Sequence, residues 1–175
     1  MARGIVVGPA TTEADWVGAR KCILELFDWI LECTAFDVLQ HLADARQEIA
    51  DLRTYYSPPF RRLFVGRIDG RVVATMGLKL DADGRAEVRR VWTRRSARGR
   101  GISHRLLQRV TKEAERLGAR CLWLRTAPTF MLAAQRLYVR SGFQPVTFYQ
   151  WPAGAGEVEV LEMERGLASF LSRNS

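Results

Sequence analysis

Glu87-Val-Arg-Arg-Val-Trp-Thr93, then Arg94-Arg-Ser-Ala-Arg-Gly-Arg-Gly101, then Ile102-Ser-His-Arg-Leu-Leu107 is the stretch whose reading decides the fold. Val88, Val91, Trp92 and Thr93 are β-branched or aromatic, so 85–93 reads as a strand. Ile102, Leu106, Leu107, Val110, Ala114 and Leu117 recur with the helical period, so a helix starts at about Gly101 or Ile102. Between them lies a basic turn containing Gly99 and Gly101. The first N–H groups of a helix lack internal partners, and the macrodipole places partial positive charge at the same end. With Arg98 and Arg100 beside them, they predict a phosphate or pyrophosphate ligand. Neither a Rossmann Gly-x-Gly-x-x-Gly after an early strand nor a P-loop Gly-Lys-Ser/Thr is present.

Working outward, Asp69-Gly70 between apolar runs 63–68 and 72–80 predicts a hairpin, and Asp81-Ala-Asp-Gly84 turns into the Glu87 strand. These strands form an antiparallel meander. Gly118 caps the helix after the loop. The near-continuous apolar run 121–125 predicts a buried strand parallel to 85–93, because a helix crosses between them. Upstream, 5–7 reads as a strand. Thr12 and Asp15 form a capping-box pattern before a helix over 13–32, and a second helical face runs over 36–52 until Tyr55-Tyr56-Ser57-Pro58-Pro59. Downstream come a helix over 130–141 ended by Gly142, strands over 146–151 and 157–164, and a loop over 152–156.

The loop resembles the signature of the GNAT N-acetyltransferase superfamily, Arg/Gln-x-x-Gly-x-Gly/Ala: it runs Arg98-Gly99-Arg100-Gly101-Ile102-Ser103, with Ser103 where Gly or Ala is usual. Glu87 lies four residues before Val91 on the preceding strand. Met131-Leu-Ala-Ala134-Gln-Arg-Leu137-Tyr138-Val-Arg-Ser-Gly142-Phe143 is similar to the superfamily's late helix, with its Tyr and following Gly-Phe. The resemblance implies an α/β (α+β) fold: a mixed, mostly antiparallel sheet of about seven strands with a central splayed parallel pair, flanked by about four helices. It further implies one domain over 1–175, with 166–175 as a frayed tail.

By the same resemblance, acetyl-CoA is the cosubstrate and an amine of a small molecule or peptide is the acceptor. Glu87 would be the general base and Tyr138 the general acid. Backbone groups at Val91, Trp92 and Thr93 would pair with the pantetheine arm, an N–H near Trp92 facing the thioester oxygen. Arg98, Gly99, Arg100, Gly101, Ile102, Ser103 and His104 would hold the phosphates, and Met131 and Ala134 would complete the cofactor site. Trp29, Tyr55, Tyr56, Phe148 and Trp151 would line the acceptor side, together with Phe36, Phe60 and Tyr149. Taken without the resemblance, Glu87 reads as a strand carboxylate paired with Arg89, Tyr138 as a core tyrosine beside Leu137 and Phe143, and Trp92 and Trp123 as core anchors. The joint occurrence of acid, loop, Tyr and Gly-Phe, in order and at family-like spacing, reverses these readings. The leading reading is then the enzyme, and the alternatives are a non-catalytic acyl-CoA sensor or partner-binding module and an Arg-driven RNA-associated protein.

Composition agrees with this picture. In 175 residues, 47% are hydrophobic, enough for a substantial core, and no apolar run approaches the roughly 20 residues that span a bilayer. The N-terminus lacks a signal-peptide apolar region, which with Cys22, Cys33 and Cys121 unpaired leads us to expect a cytoplasmic protein. His41 and His104 are the only histidines, so no metal site is expected. The formal charge of +8 and pI near 10.1 come almost wholly from arginines spread along the chain, a pattern that makes nucleic-acid binding the minority reading, and no membrane partner is expected. Arg89, Arg90, Arg94, Arg95, Arg98 and Arg100 concentrate around the phosphate loop. A homodimer stays open.

Overall fold

The computed structural model describes residues 4–153 and 156–168. A seven-stranded sheet in the order β1-β2-β3-β4-β5-β7-β6 forms its frame. The strands are β1 (Ile5–Pro9), β2 (Arg61–Ile68), β3 (Arg71–Leu80), β4 (Arg85–Thr93), β5 (Cys121–Thr126), β6 (Gln144–Ala153) and β7 (Gly156–Gly166). The meander holds: Asp69 and Gly70 both have positive φ, at 51° and 76°, as a primed two-residue turn requires. All neighbouring pairs are antiparallel except β4 and β5.

That parallel pair positions everything else. Its ladder runs only from Arg85 opposite Cys121 to Glu87 opposite Trp123, and then the strands part. On the other edge of β4 the register with β3 jumps between Thr75 and Gly77, so that Arg90 and Val91 stand against Met76 alone. Arg90 sits in this bulge at φ 55°, and its carbonyl accepts a hydrogen bond from the Thr75 hydroxyl at 2.9 Å. A bulge bends a strand and raises its twist. Here it turns β4 away from β5 and opens a gap.

Two cores sandwich the sheet. On one face, α5 (Ile102–Arg116) buries Ile102, Leu106, Leu107, Val110 and Ala114 against Met76, Leu78, Val88, Leu122 and Leu124. On the other, α1 (Glu13–Thr34) brings Ala19, Cys22, Ile23 and Phe27 against Leu63, Val65, Val72 and Trp92. The Thr12–Asp15 capping box forms as expected.

The helix expected over 36–52 is instead three short ones, α2 (Val38–His41), α3 (Ala43–Ala50) and α4 (Leu52–Tyr55). Leu42 and Asp51 leave the helical region, with ψ of 105° and 87°. The Asp37 carboxylate accepts from the backbone N–H of Gln40 and caps α2, and that of Asp51 accepts from Thr54 N–H and starts α4; α3 begins at Leu42 without a side-chain cap. Apolar periodicity cannot show such breaks, because the face continues across them. With α6 (Leu132–Arg140) this makes six α-helices among the described residues, where about four were expected. Gly166 closes β7 and Leu167 is only 1% exposed, so the tail is ordered further than expected. The rest of that segment, from residue 169, and residues 154–155 of the expected 152–156 loop, lie outside the described residues, while Pro152 and Ala153 belong to β6. No helix among the described residues is long and apolar enough to cross a membrane.

Candidate functional site

The gap between β4 and β5 is a cavity of about 780 Å³, roofed by α1 and the α2–α3 segment and closed on the far side by α6. Glu87, Val91, Trp92 and Thr93 line it along β4. Arg98, Gly99 and Ser103 line its loop end, Met131, Ala134 and Tyr138 its α6 wall, and Trp29 and Trp151, expected on the acceptor side, line it as well. Most of the expected site residues therefore meet around one opening.

Several do not. Tyr55 and Tyr56 are buried away from the cavity: the Tyr55 hydroxyl donates to Asp44 at 2.8 Å and that of Tyr56 to Glu48 at 2.6 Å. Phe148 is 58% exposed on the edge strand β6 and Phe60 is likewise exposed outside the cavity. The Ile102 side chain is turned into the core, so close to Gly66 that a Cβ there would lie 2.5 Å from it. His104 faces outward beside Gln108, their side-chain nitrogens 3.2 Å apart. Arg100 and Gly101 lie past the cavity lining.

The loop's contribution comes from its backbone. After a 3₁₀ turn over Arg95–Ala97, Gly99 and Gly101 take positive φ, 74° and 72°. The first internal bond of the following helix comes from Arg105 N–H to the Gly101 carbonyl. The N–H groups of residues 99–104 therefore find no protein acceptor among the described residues. A run of unpaired donors at a helix start is an anion cradle. No Cβ built on Gly99 or Gly101 would meet an atom within 4 Å, so the approach is open. Ser103 shares a hydrogen bond with the Thr93 hydroxyl at 2.8 Å, tying loop to strand, and Arg98 Nε donates to the Thr93 carbonyl at 3.0 Å. The Arg98 guanidinium lies 5.0 Å from the Trp92 ring centre.

At the other end sit the titratable groups. Glu87 faces the cavity and is paired twice, to Arg125 at 3.2 Å and to Arg89 at 3.5 Å. The pairing with Arg89 is the one that the strand alone suggests. Tyr138 is buried, packs 5.8 Å from Phe143 ring to ring, and its hydroxyl makes no hydrogen bond among the described residues. Burial pushes its pKa well above the usual tyrosine value, so it carries its proton at neutral pH. Burial likewise raises Cys121, consistent with a core thiol.

A buried ionic cluster behind β4 escaped the sequence reading. Glu48, fully buried on α3, accepts from Arg90 Nη2 at 2.6 Å, Arg89 Nη2 at 3.1 Å and Tyr56. Asp44 accepts from Arg89 at 2.9 Å. Burial works to raise the Asp44 pKa, but hydrogen bonds from Arg89 and Tyr55 outweigh it and hold the group below its usual value. Burial and the neighbouring carboxylate push Tyr55 up to about 12. A faint signal existed in Glu48, an acid among the otherwise small and apolar buried positions Ala45 and Ile49 of its helix. Arg125 was also missed, although it follows Trp123 with the period of a strand.

Comparison with known proteins places this geometry. Residues 23–143 match the model of the acetyltransferase (GNAT) family. A curated relative, an IAA acetyltransferase of Azospirillum brasilense, is 35% identical over 96 residues, covering 54% of this chain and 61% of that protein, so the match spans about three fifths of the relative's length. Among solved structures, a GNAT-family acetyltransferase of Staphylococcus aureus superimposes with a TM-score of 0.73 at 15% identity, over 94% of this chain and 99% of that one. The Salmonella typhimurium protein yncA, solved with its cofactor acetyl-CoA, gives 0.72 at 17% identity over 94% of each chain. Those two likenesses speak for the fold, and the family match runs through the strand, the loop and the late helix that enclose the cavity: the chain belongs to the acetyltransferase (GNAT) family.

Proposed function

We propose that the protein is an N-acetyltransferase that moves an acetyl group from acetyl-CoA directly to an amine. One observation carries the reading: a single cavity joins an anion cradle of unpaired N–H groups to a carboxylate and a protonated phenol. The residues present fit acetyl-CoA. The 99–104 amides and Arg98 suit a pyrophosphate, and the parted edge of β4 at Val91, Trp92 and Thr93 offers an extended arm the ladder that β5 relinquishes. Ala134 and Met131 keep the α6 wall small and apolar. When bound, acetyl-CoA supplies the acetyl group as a thioester.

The chain's own residues then divide the work. Glu87, at the acceptor end, takes the proton that the attacking amine must lose, because amines are mostly protonated near neutral pH. A β4 N–H near Trp92 stabilises negative charge on the carbonyl oxygen. Tyr138 holds the proton that the departing sulfur needs. Arg89 and Arg125 keep the Glu87 carboxylate oriented.

Glu87→Gln and Tyr138→Phe are each expected to lower kcat by about 10²-fold or more, while acetyl-CoA still raises the thermal midpoint. The double pairing of Glu87 also suits a second reading, a sensor that binds acyl-CoA without turnover. Release of free thiol from acetyl-CoA across a panel of amines decides between them, since a sensor releases none and is indifferent to either substitution.

A further inference from the structure

We propose that the acceptor is a free α-amino acid with a large apolar side chain, recognised as a zwitterion by Glu87 and Arg125. The inference deepens the acetyl-transfer reading and rests on it. A second cavity of about 200 Å³ adjoins the first and shares Arg125, Phe130 and Trp151 with it. Its depth is walled by Phe36, Val38 and Val158. Pockets for drug-sized ligands run from about 300 to 1,000 Å³, so this one suits a single side chain better than a peptide.

Charge narrows the class. Arg90 and Arg125 are the only ionisable lining groups of this chamber that carry charge at neutral pH among the described residues, and Arg90 is spent on Glu48. Nothing acidic waits there for an ammonium. Arg125 lies over the Trp123 ring, 5.1 Å from its centre, and reaches Glu87 at 3.2 Å. An α-amino acid carries the complementary pair on one carbon. Its ammonium meets Glu87, its carboxylate meets Arg125, and its side chain enters the apolar chamber, all without burying net charge. A simple amine would add no anion beside Arg125, whose ion-pair partner among the described residues is Glu87. In the transfer, the α-nitrogen forms the N–C bond as the C–S bond breaks, its surplus protons leave through Glu87, and coenzyme A departs as the free thiol.

The test compares kcat/KM for L-phenylalanine, L-phenylalaninamide and 2-phenylethylamine, in the full chain and in Arg125→Gln. L-Phenylalanine is expected to exceed both others at least tenfold, the size of one charge-assisted hydrogen bond. Arg125→Gln should remove that preference, so that within the variant L-phenylalanine is turned over no faster than the amide or the amine. L-Phenylalanine added to the protein with coenzyme A should also raise the thermal midpoint, and 2-phenylethylamine should not. If the amide or the amine matches the acid, the amino-acid inference is wrong and the acetyl-transfer reading stands. If none of the three is acetylated although acetyl-CoA raises the midpoint, the amino-acid inference is wrong, and thiol release across the wider amine panel decides between transferase and sensor. If acetyl-CoA itself fails to raise the midpoint, both fall.

Discussion

Glu48 shows how one buried side chain shapes the site from behind. It has no exposed surface and holds Arg90 of the β4 bulge through both oxygens and the neighbouring Arg89 through one. Removing one partner of a buried ionic cluster leaves uncompensated charge and costs about 3–5 kcal/mol. Glu48→Ala should therefore lose about that much stability in urea unfolding, and Arg90, freed from its carboxylate, should no longer hold the bulge that parts β4 from β5. Asp15 is a smaller device. Its carboxylate accepts from the backbones of Thr11 and Thr12 at 3.0 Å each and from Arg67 Nε at 2.6 Å. The Arg67 guanidinium, against some cost of burial, holds its pKa well below the ordinary value of 3.8. A depressed carboxylate stabilises the fold above its unfolded pKa and loses that contribution as pH falls below it. Asp15→Asn should thus cost about 1 kcal/mol at pH 7, and the gap to the wild type should close as pH drops below about 4, read from urea midpoints across pH.

At the scale of elements, the phosphate loop depends on backbone conformation more than on side chains. Gly101 begins α5 at positive φ, with open space where a Cβ would stand, so Gly101→Ala meets strain without a clash. The left-handed conformation costs an alanine about 1 kcal/mol, which in a chain of this length lowers the midpoint by about 2–4 °C. The variant should also bind acetyl-CoA more weakly, because the same φ aims the free amides. Helical segments were legible where cap and period agreed, as in α1 and α5. They were illegible in 36–52, where Leu42 and Asp51 leave the helix while the apolar face runs on. Side-chain capping marks the break at Asp51, where a single Asp looks like any other surface residue, and the break at Leu42 carries no side-chain cap at all.

For the whole molecule, ligand and fold are linked. Acetyl-CoA at about 100 times its Kd should add about 2.7 kcal/mol of stability, a midpoint rise of about 5–10 °C in differential scanning fluorimetry. The order strand, glycine loop, helix, the hairpin at Asp69-Gly70 and the Tyr138 to Phe143 segment are local patterns of turn chemistry and periodicity, and with them the sequence determined the sheet, the anion cradle and the family. What surrounds the acceptor was decided only in three dimensions. Tyr55 and Tyr56 carry the same rings as a binding wall would, but Asp44 and Glu48 draw their hydroxyls into a buried cluster, whereas Arg125, from a strand read as core, meets Glu87 across the one place where two parallel strands separate. Such pairings join residues 38 or more positions apart in Arg125 and Glu87, and 41 in Arg89 and Glu48. They exist because the bulge at Arg90 opens the sheet, and no local pattern in the chain records where that opening brings distant charges together.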